Sequence, residues 1–279
     1  MSIHGIDVSE FQGRVDWDRV RKAGIQFAML RAGYGTGSID DEFRRNAEEC
    51  NRVGIPFGVY WFSYAYTREM ARREADYCIE AIRRYEVNYP VCIDFEYASV
   101  NYAAERGVNV TRTLATEIVE EFCRRVEELK YFAMYYSNLD YMRRMFEQKL
   151  KDKYALWYAQ YSQEPNVSGM AIWQYSDMGR VDGISGNVDM DIALYDLSRV
   201  ISRARLNHLD SDKSTPDSST PEPNEVIEYV VKRVDTLPKI AEKYGTTVKE
   251  LTYYNCILNP NRLFVGEVIL IPLGSRSNS

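Results

Sequence analysis

The sequence predicts an α/β protein: a flattened relative of the TIM barrel, written (β/α)5(β)3, followed by a small α+β unit of βααβ order. Three observations predict it. Apolar, strand-like runs alternate with helical stripes five times in the first half of the chain. Three further runs then follow one another with too little sequence between them for comparable helices. Polar residues gather where the runs end, as in barrels whose functional groups sit at the carboxyl ends of strands.

Taken in order, Ile3 to Val8 is the first strand, with Asp7 near its end, and Asp16 to Ala23 is the helix behind it. Phe27 to Ala32, carrying Arg31, leads to a helix over Asp41 to Val53. Phe57 to Tyr64 places Tyr60, Phe62 and Tyr64 on one face, because strand side chains alternate sides. The helix that follows, Thr67 to Tyr85, has Met70, Ala71, Ala75, Cys78, Ile79 and Ile82 as an apolar stripe among Arg and Glu. Val91 to Glu96 is the fourth strand, and Thr111 to Leu129 its helix, with Leu114, Ile118, Val119, Phe122 and Val126 on one side. Phe132 to Ser137 brings Tyr136 and Ser137 to its end before a helix over Leu139 to Leu150. Leu156 to Tyr161 with Trp157, Ala171 to Tyr175 with Trp173 and Gln174, and Val188 to Ala193 with Asp189 and Asp191 complete the barrel, and a last helix spans Leu197 to Arg205.

The composition then changes. Residues 207–225 are rich in Ser, Thr, Pro and Asp, with few large apolar side chains, so a linker separates a first domain, 1–206, from a second, 226–273, with 274–279 as a tail. Within the second domain Val226 to Val231 and Leu263 to Pro272 read as strands, and Leu237 to Tyr244 and Val248 to Asn255 as short helices. About fifty residues suit a binding module better than an elaborate active site.

Bulk properties remove several function classes. A formal charge of −6 argues against nucleic-acid binding through a basic face. No apolar run is long enough to span a bilayer, so membrane insertion is not expected. The start, Met-Ser-Ile-His-Gly-Ile-Asp, lacks the basic and apolar regions of a signal peptide, which predicts synthesis as a cytosolic chain. The cysteines, Cys50, Cys78, Cys92, Cys123 and Cys256, are an odd number and widely spaced, which favours buried thiols over disulfides or metal ligation. With His4 and His208 the only histidines, a histidine-rich zinc site cannot be assembled, and no cofactor or metal is expected. Carboxylates are left as acid and base.

The pair Asp94 and Glu96 stands out. At a strand end their Cα atoms lie about 6 to 7 Å apart on one face, so each charge perturbs the other's ionisation. One acid can then stay protonated while its neighbour is ionised, the division of labour that glycosidic cleavage requires. An isolated Asp-x-Glu is more often a solvated strand end. Here aromatic rings at the same barrel mouth favour a sugar cleft, since flat apolar faces stack on pyranose rings.

The first domain resembles glycoside hydrolase family 25, the muramidases of the Chalaropsis lysozyme type. The resemblance rests on Gly5-Ile6-Asp7-Val8-Ser9, Phe27 to Gly33, Gly58-Val59-Tyr60, Ile93-Asp94-Phe95-Glu96, Tyr135-Tyr136-Ser137, Leu156 to Ala159, Ile172 to Tyr175 and Gly186 to Asp189, in that order along the domain. It implies cleavage of the β-1,4 bond between N-acetylmuramic acid and N-acetylglucosamine in bacterial peptidoglycan. It also implies that Glu96 is the general acid and then base, and that Asp94 assists participation by the substrate's 2-acetamido group. Asp7 and Asp189 would line the catalytic cleft and help keep Glu96 protonated. Arg31, Tyr60, Phe62, Tyr64, Tyr136, Trp157, Trp173 and Gln174 are the substrate-binding candidates. Neighbouring-group participation and direct attack by water both remain open on sequence. Family 18 chitinases also carry Asp-x-Glu at this strand, but their two earlier acids would fall at Tyr89 and Cys92.

The second domain is similar to LysM modules, on Tyr229 to Lys232, Asp235-Thr236-Leu237, Ile240 to Val248 and Asn259 to Gly266. Val234 stands where such modules usually carry Gly, and Pro238 replaces a more usual Ser or Trp. The resemblance implies that cell-wall glycan binds between Asp235, Thr236 and Leu237 and a second loop bearing Leu258, Asn259 and Asn261. A monomer acting at the bacterial wall is expected. The start of the chain fits a phage or prophage endolysin released through a holin pore, and a secreted lysozyme stripped of its signal would begin the same way. The competing function is a lectin-like, non-catalytic glycan-binding protein on the same barrel.

Overall fold

The computed structural model describes residues 3–209, 225–232, 235–255, 257, 263 and 268–273. The chain divides into two compact units, Met1–Ser211 and Asp212–Ser279.

In the first unit the elements run β1 (Ile3–Val8), α1 (Trp17–Lys22), β2 (Phe27–Tyr34), β3 (Ser38–Ile39), α2 (Phe43–Val53), β4 (Phe57–Phe62), α3 (Arg68–Ile82), β5 (Val91–Asp94), α4 (Tyr97–Ala104) and α5 (Arg112–Glu128). They continue β6 (Ala133–Asn138), α6 (Leu139–Arg144), α7 (Gln148–Lys153), β7 (Ala155–Ala159), β8 (Ile172–Gly179), β9 (Val188–Ala193) and α8 (Leu197–Arg203). One nine-stranded sheet runs β1-β9-β8-β7-β6-β5-β4-β2-β3, and β1 also pairs β2, so every strand but β3 joins a closed barrel. Pairing is parallel from β1 through β2, β4, β5, β6 and β7 to β8. β9 is the exception, antiparallel to both β8 and β1.

Alternation along the strands sorts the core into two layers. Ile6, Val8, Ala28, Leu30, Val59, Trp61, Ile93, Tyr135 and Tyr158 pack outward against the helices, in one cluster with Ala71, Ala75, Cys78, Ile118 and Phe122. The residues between them, among them Phe27, Met29, Tyr60, Cys92, Met134 and Trp157, are buried on the opposite face, inside the barrel. Cys50, Cys78, Cys92 and Cys123 are buried free thiols, and Cys256 lies outside the described residues. Gly5 is needed at the closed end, since a Cβ there would lie 2.2 Å from the Phe27 ring. Side-chain caps set the helix starts: Asp16 accepts from Arg19 N, Thr67 from Met70 N, Thr111 from Leu114 N and Asn138 from Tyr141 N.

Besides the short added strand β3, three elements differ from expectation. α4 fills a stretch with no clear apolar stripe; it begins where the Glu96 backbone N–H donates to Ser99 Oγ at 3.0 Å. The helix expected over Leu139 to Leu150 is two helices, because Phe146 is fully buried between them and its carbonyl accepts from Arg112 at 2.8 Å. β8 runs on to Gly179, and its shifted pairing with β9 makes a hairpin that extends past Tyr175. At the other end Asn207, the first residue of the expected linker, is buried. Its side chain donates to the Val87 and Tyr89 carbonyls and accepts from Phe132 N, and its own N–H bonds the Lys130 carbonyl.

The second unit has β10 (Glu225–Val230), α9 (Leu237–Tyr244), α10 (Val248–Asn255) and β11 (Val268–Leu273), with β10 and β11 antiparallel. Tyr229, Val231, Leu237, Ile240, Ala241, Leu251, Ile257, Ile269 and Ile271 form its core. Pro238 falls in the first turn of α9, where the missing N–H costs nothing. Gly245 ends that helix in the left-handed conformation at φ 67°.

Candidate active site

The carboxyl ends of the parallel strands bring four acids together. Asp7, near the end of β1, is 5% exposed, and Asp94, the last residue of β5, is 8% exposed. Glu96 lies beyond β5, at the residue that caps α4, but its backbone stays extended at φ −129°, ψ −168°. Its side chain therefore keeps to the face of Asp94, while Phe95 packs into the outer layer. Asp189 pairs directly with Asp7 across β9 and β1. Its position corrects the expectation of a strand end: Asp189 is near the amino end of β9 and reaches the mouth only because β9 runs against its neighbours.

Burial dominates the ionisation of the cluster. It raises Asp94 well above the usual carboxylate range, Glu96 adds to the rise, and Arg31 opposes it. Asp7 is likewise raised, by burial, then by Asp191 and Asp189. Asp189 is pushed up to about 6 by burial and Asp177. Glu96 is raised by burial first and by the Asp189 charge second, so like-charge repulsion from several neighbours, the cause expected from sequence, is the smaller effect. Donors are scarce: Gln174 Nε2 donates to Asp7 Oδ2 at 2.7 Å, and Asp94 Oδ1 is buried with no protein partner.

Several substrate-binding candidates line this mouth, and others do not. Arg31 is spoken for, with Nε 2.7 Å from Asp40 and Nη2 2.6 Å from Glu10, and it lies over the Phe11 ring, itself 80% exposed. Tyr60 and Tyr136 meet the buried Trp157 edge-on, at 5.7 and 5.1 Å, so Trp157 is barrel filling and offers no open face for stacking. Phe62 and Tyr64 are partly exposed and continue to Tyr102 of α4 as a row of rings 5.2 and 4.8 Å apart. Gln174 faces inward, where Tyr136 and Tyr161 hydroxyls donate to its Oε1 at 2.9 and 3.3 Å and so aim its amide at Asp7. Trp173, one residue earlier, must point the other way. It packs in the outer layer, with Nε1 on the Gln160 carbonyl, and is not at the mouth.

Two residues at the mouth are not among the candidates that sequence supplies. Tyr161, expected only as the end of a strand, stands half exposed above the acids. Tyr97 directly follows Glu96 and donates to Asp140 at 3.0 Å. Their proximity to Asp94-x-Glu96 and to the strand ends is the available signal. Among the described residues no group of His, Cys, Asp or Glu has the arrangement to hold a metal ion.

In the second unit Asp235 accepts from Tyr229 Oη and Lys232 N, each at 2.7 Å, which holds its carboxyl below the usual range. Thr236 is exposed, whereas Leu237 is core and cannot contact a glycan, a correction to the expected binding loop. Val234, Leu258, Asn259 and Asn261 lie outside the described residues.

The sequence matches the family model of Glycosyl hydrolases family 25 over residues 6–184 and that of the LysM domain over residues 229–272. YegX of Escherichia coli (strain K12), an uncharacterized protein, is 32% identical over 202 residues, covering 68% of this chain and 69% of its own. Lysozyme M1 of Streptomyces globisporus is 29% identical over 197 residues, covering 67% of this chain and 66% of its own. The structure of the bacterial lysozyme from Streptomyces coelicolor superposes with a TM-score of 0.61 at 26% identity, over 73% of this chain and 97% of that one. On this family match and an aligned relative spanning two thirds of its length, the chain belongs to glycosyl hydrolases family 25, and carries a LysM domain after the barrel.

Proposed function

We propose that Glu96 carries the proton transfers in this peptidoglycan hydrolase, a lysozyme that cleaves the β-1,4 bond between N-acetylmuramic acid and N-acetylglucosamine. One observation carries the assignment: Glu96 stands partly exposed two residues beyond the deeper Asp94, and burial first, then the Asp189 charge, raise its hold on a proton, so it is placed to deliver one to a leaving oxygen in the cleft. Asp94 is deeper. Its Oδ1, buried and without a partner, is suited to accept the N–H of a 2-acetamido group and turn that group's carbonyl toward the anomeric carbon. As Glu96 gives up its proton to the leaving group, the Asp189 charge keeps its carboxylate basic for the return step. Tyr64, Phe62 and Tyr161 supply rings for the sugar faces.

Mass spectrometry of fragments released from purified peptidoglycan, after borohydride reduction, tests this. Wild type should produce new reducing ends on N-acetylmuramic acid and Glu96→Gln should not. Ends on N-acetylglucosamine would make the protein a glucosaminidase, and silence from both proteins would leave a lectin. A thiazoline analogue of the cyclised acetamido sugar should inhibit if the acetamido group participates; indifference to it favours direct attack by water.

The LysM domain is read as a glycan tether, through the exposed Thr236 side of the loop before α9. Among the described residues no helix is long and apolar enough to cross a membrane. The endolysin setting extends the same reading: co-expression with a holin should lyse a host that tolerates the protein alone.

A further inference from the structure

β9 carries a second acid on the same face as Asp189. Asp191 lies two residues further into the barrel, opposite Gly5 of β1 and Gln174 of β8, and is fully buried. One of its oxygens accepts from Trp157 Nε1 at 2.8 Å, while the other, Oδ2, is buried without a hydrogen-bond partner. Its acidic neighbour here is Asp7, the buried diagonal residue on the same face of the β1–β9 pair, whose carboxyl accepts from Gln174 Nε2. Two buried carboxylates side by side are both acceptors and repel, so a hydrogen bond between them needs a proton. The guanidinium that could have neutralised them, Arg31, is engaged by Asp40 and Glu10 instead.

We propose that Asp191 is a positioning residue for catalysis: it and Asp7 hold one proton between them, which keeps Asp7 a neutral, donating carboxyl beside Asp189 instead of another anion at the cleft. The inference deepens the catalytic reading given above and rests on it for its kinetic consequence. The environment is consistent on every side. Asp191 is pushed up to about 8 by burial, against the lowering effect of Trp157 and Asp7. Titratable groups surround the pair: Asp189 on β9, Tyr60 on β4, Cys92 on β5, Tyr136 on β6 and Tyr161 after β7, with Arg31 of β2 and Asp94 and Glu96 at the same mouth and Tyr175 of β8 behind Asp191 in the outer layer. Burial raises each of these phenols, which leaves the carboxyls to exchange protons in the working range.

Asp191→Asn separates this role from a packing role. An amide of the same shape still accepts from Trp157, and its N–H can donate to Asp7, which then ionises alone. The negative charge moves outward, toward Asp189 and Glu96, and Asp7 ceases to donate. The pH–rate bell should shift upward by about one unit, with kcat at its optimum down about tenfold and KM within about threefold. An unchanged bell overturns the proposal, as does a loss confined to KM.

An infrared measurement on the full chain at neutral pH tests the proton directly. The carbonyl-stretch band of one protonated carboxylic acid should vanish in Asp191→Asn, the same band should vanish in Asp7→Asn, and the double variant should lose no more than either. Losses that add, or a band that persists in both, would overturn a shared proton. If Asp191→Asn fails to fold by circular dichroism, Asp7→Asn carries the infrared test by itself. Failure of the catalytic reading would show as Glu96→Gln remaining active and would leave the infrared result unaffected.

Discussion

The barrel mouth and the loop before α9 both present an aspartate where sequence placed a ligand contact, and the two are opposites. Asp94 is buried, lacks a donor on Oδ1, and is raised far above the usual range. Asp235 is screened by water, has two donors, and is lowered. Donor number alone does not explain this, as a third carboxyl shows. Glu74 of α3 accepts from Ser63 Oγ at 2.5 Å and Tyr64 N at 3.0 Å, yet burial still pushes it up to about 8. Desolvation outweighs two hydrogen bonds from uncharged donors here, whereas the buried Glu121, met by Arg68, Arg72 and Arg124, is lowered, so burial sets the direction only where no cation answers it.

The comparison breaks if Glu96 is not the proton carrier. Glu96→Gln should lower hydrolysis of purified walls by about 10²- to 10⁴-fold, as removal of a general acid does, while glycan binding in a pull-down survives; near-normal turnover would refute the assignment. Glu74→Gln sharpens the role of burial. An acid with a higher pKa folded than unfolded holds its proton more tightly in the native state, so its contribution is full below about 4.5 and is lost as pH rises toward about 8. In denaturant titrations the Glu74→Gln variant should lack that decline and be more stable at pH 8 by roughly 2 to 5 kcal/mol, at about 1.4 kcal/mol per unit. Parallel pH–stability curves would mean that Glu74 stays charged.

Removing residues 212–279 should leave a barrel with unchanged circular dichroism and unchanged rate on short soluble glycans, but about tenfold less lysis of intact walls, because tethering raises local concentration. Equal lysis would assign the LysM domain another purpose. The smallest effect belongs to Asp235→Asn. The lowered carboxyl stabilises above its unfolded value and loses that contribution as pH falls through its folded one. The variant should melt only a few °C lower at pH 7, by about the shift a small domain shows for a weak contact, and match wild type in acid. A large drop in glycan affinity with no melting change would make Asp235 a ligand contact after all.

Much of the barrel is legible in sequence because strand alternation and helical stripes are local. The direction of β9 is not. Val188 to Ala193 has the same period whichever way it runs, and only the short hairpin from β8 turns it round, which is what delivers Asp189 to the mouth. Trp173 and Gln174 cannot both serve the cleft, as motif matching suggests, because neighbours on a strand face opposite ways. For Leu237 the motif gives a place in the loop but not the face of α9 on which the side chain lies, and that face is core. Asp191 marks a strand end in the sequence, but its interest depends on the bond from Trp157 and on lying diagonally beside Asp7, which join distant parts of the chain.

Asn207 has a mechanical consequence. Its four hydrogen bonds fasten the chain to Val87 and Tyr89 before β5, and to Lys130 and Phe132 before β6, on the floor of the barrel opposite the acids. Tension applied through the following chain therefore loads this rivet, with the His208 contacts to Leu129 and Tyr131 just beyond it, across the backs of two adjacent strands and at the end of the barrel away from the carboxylates.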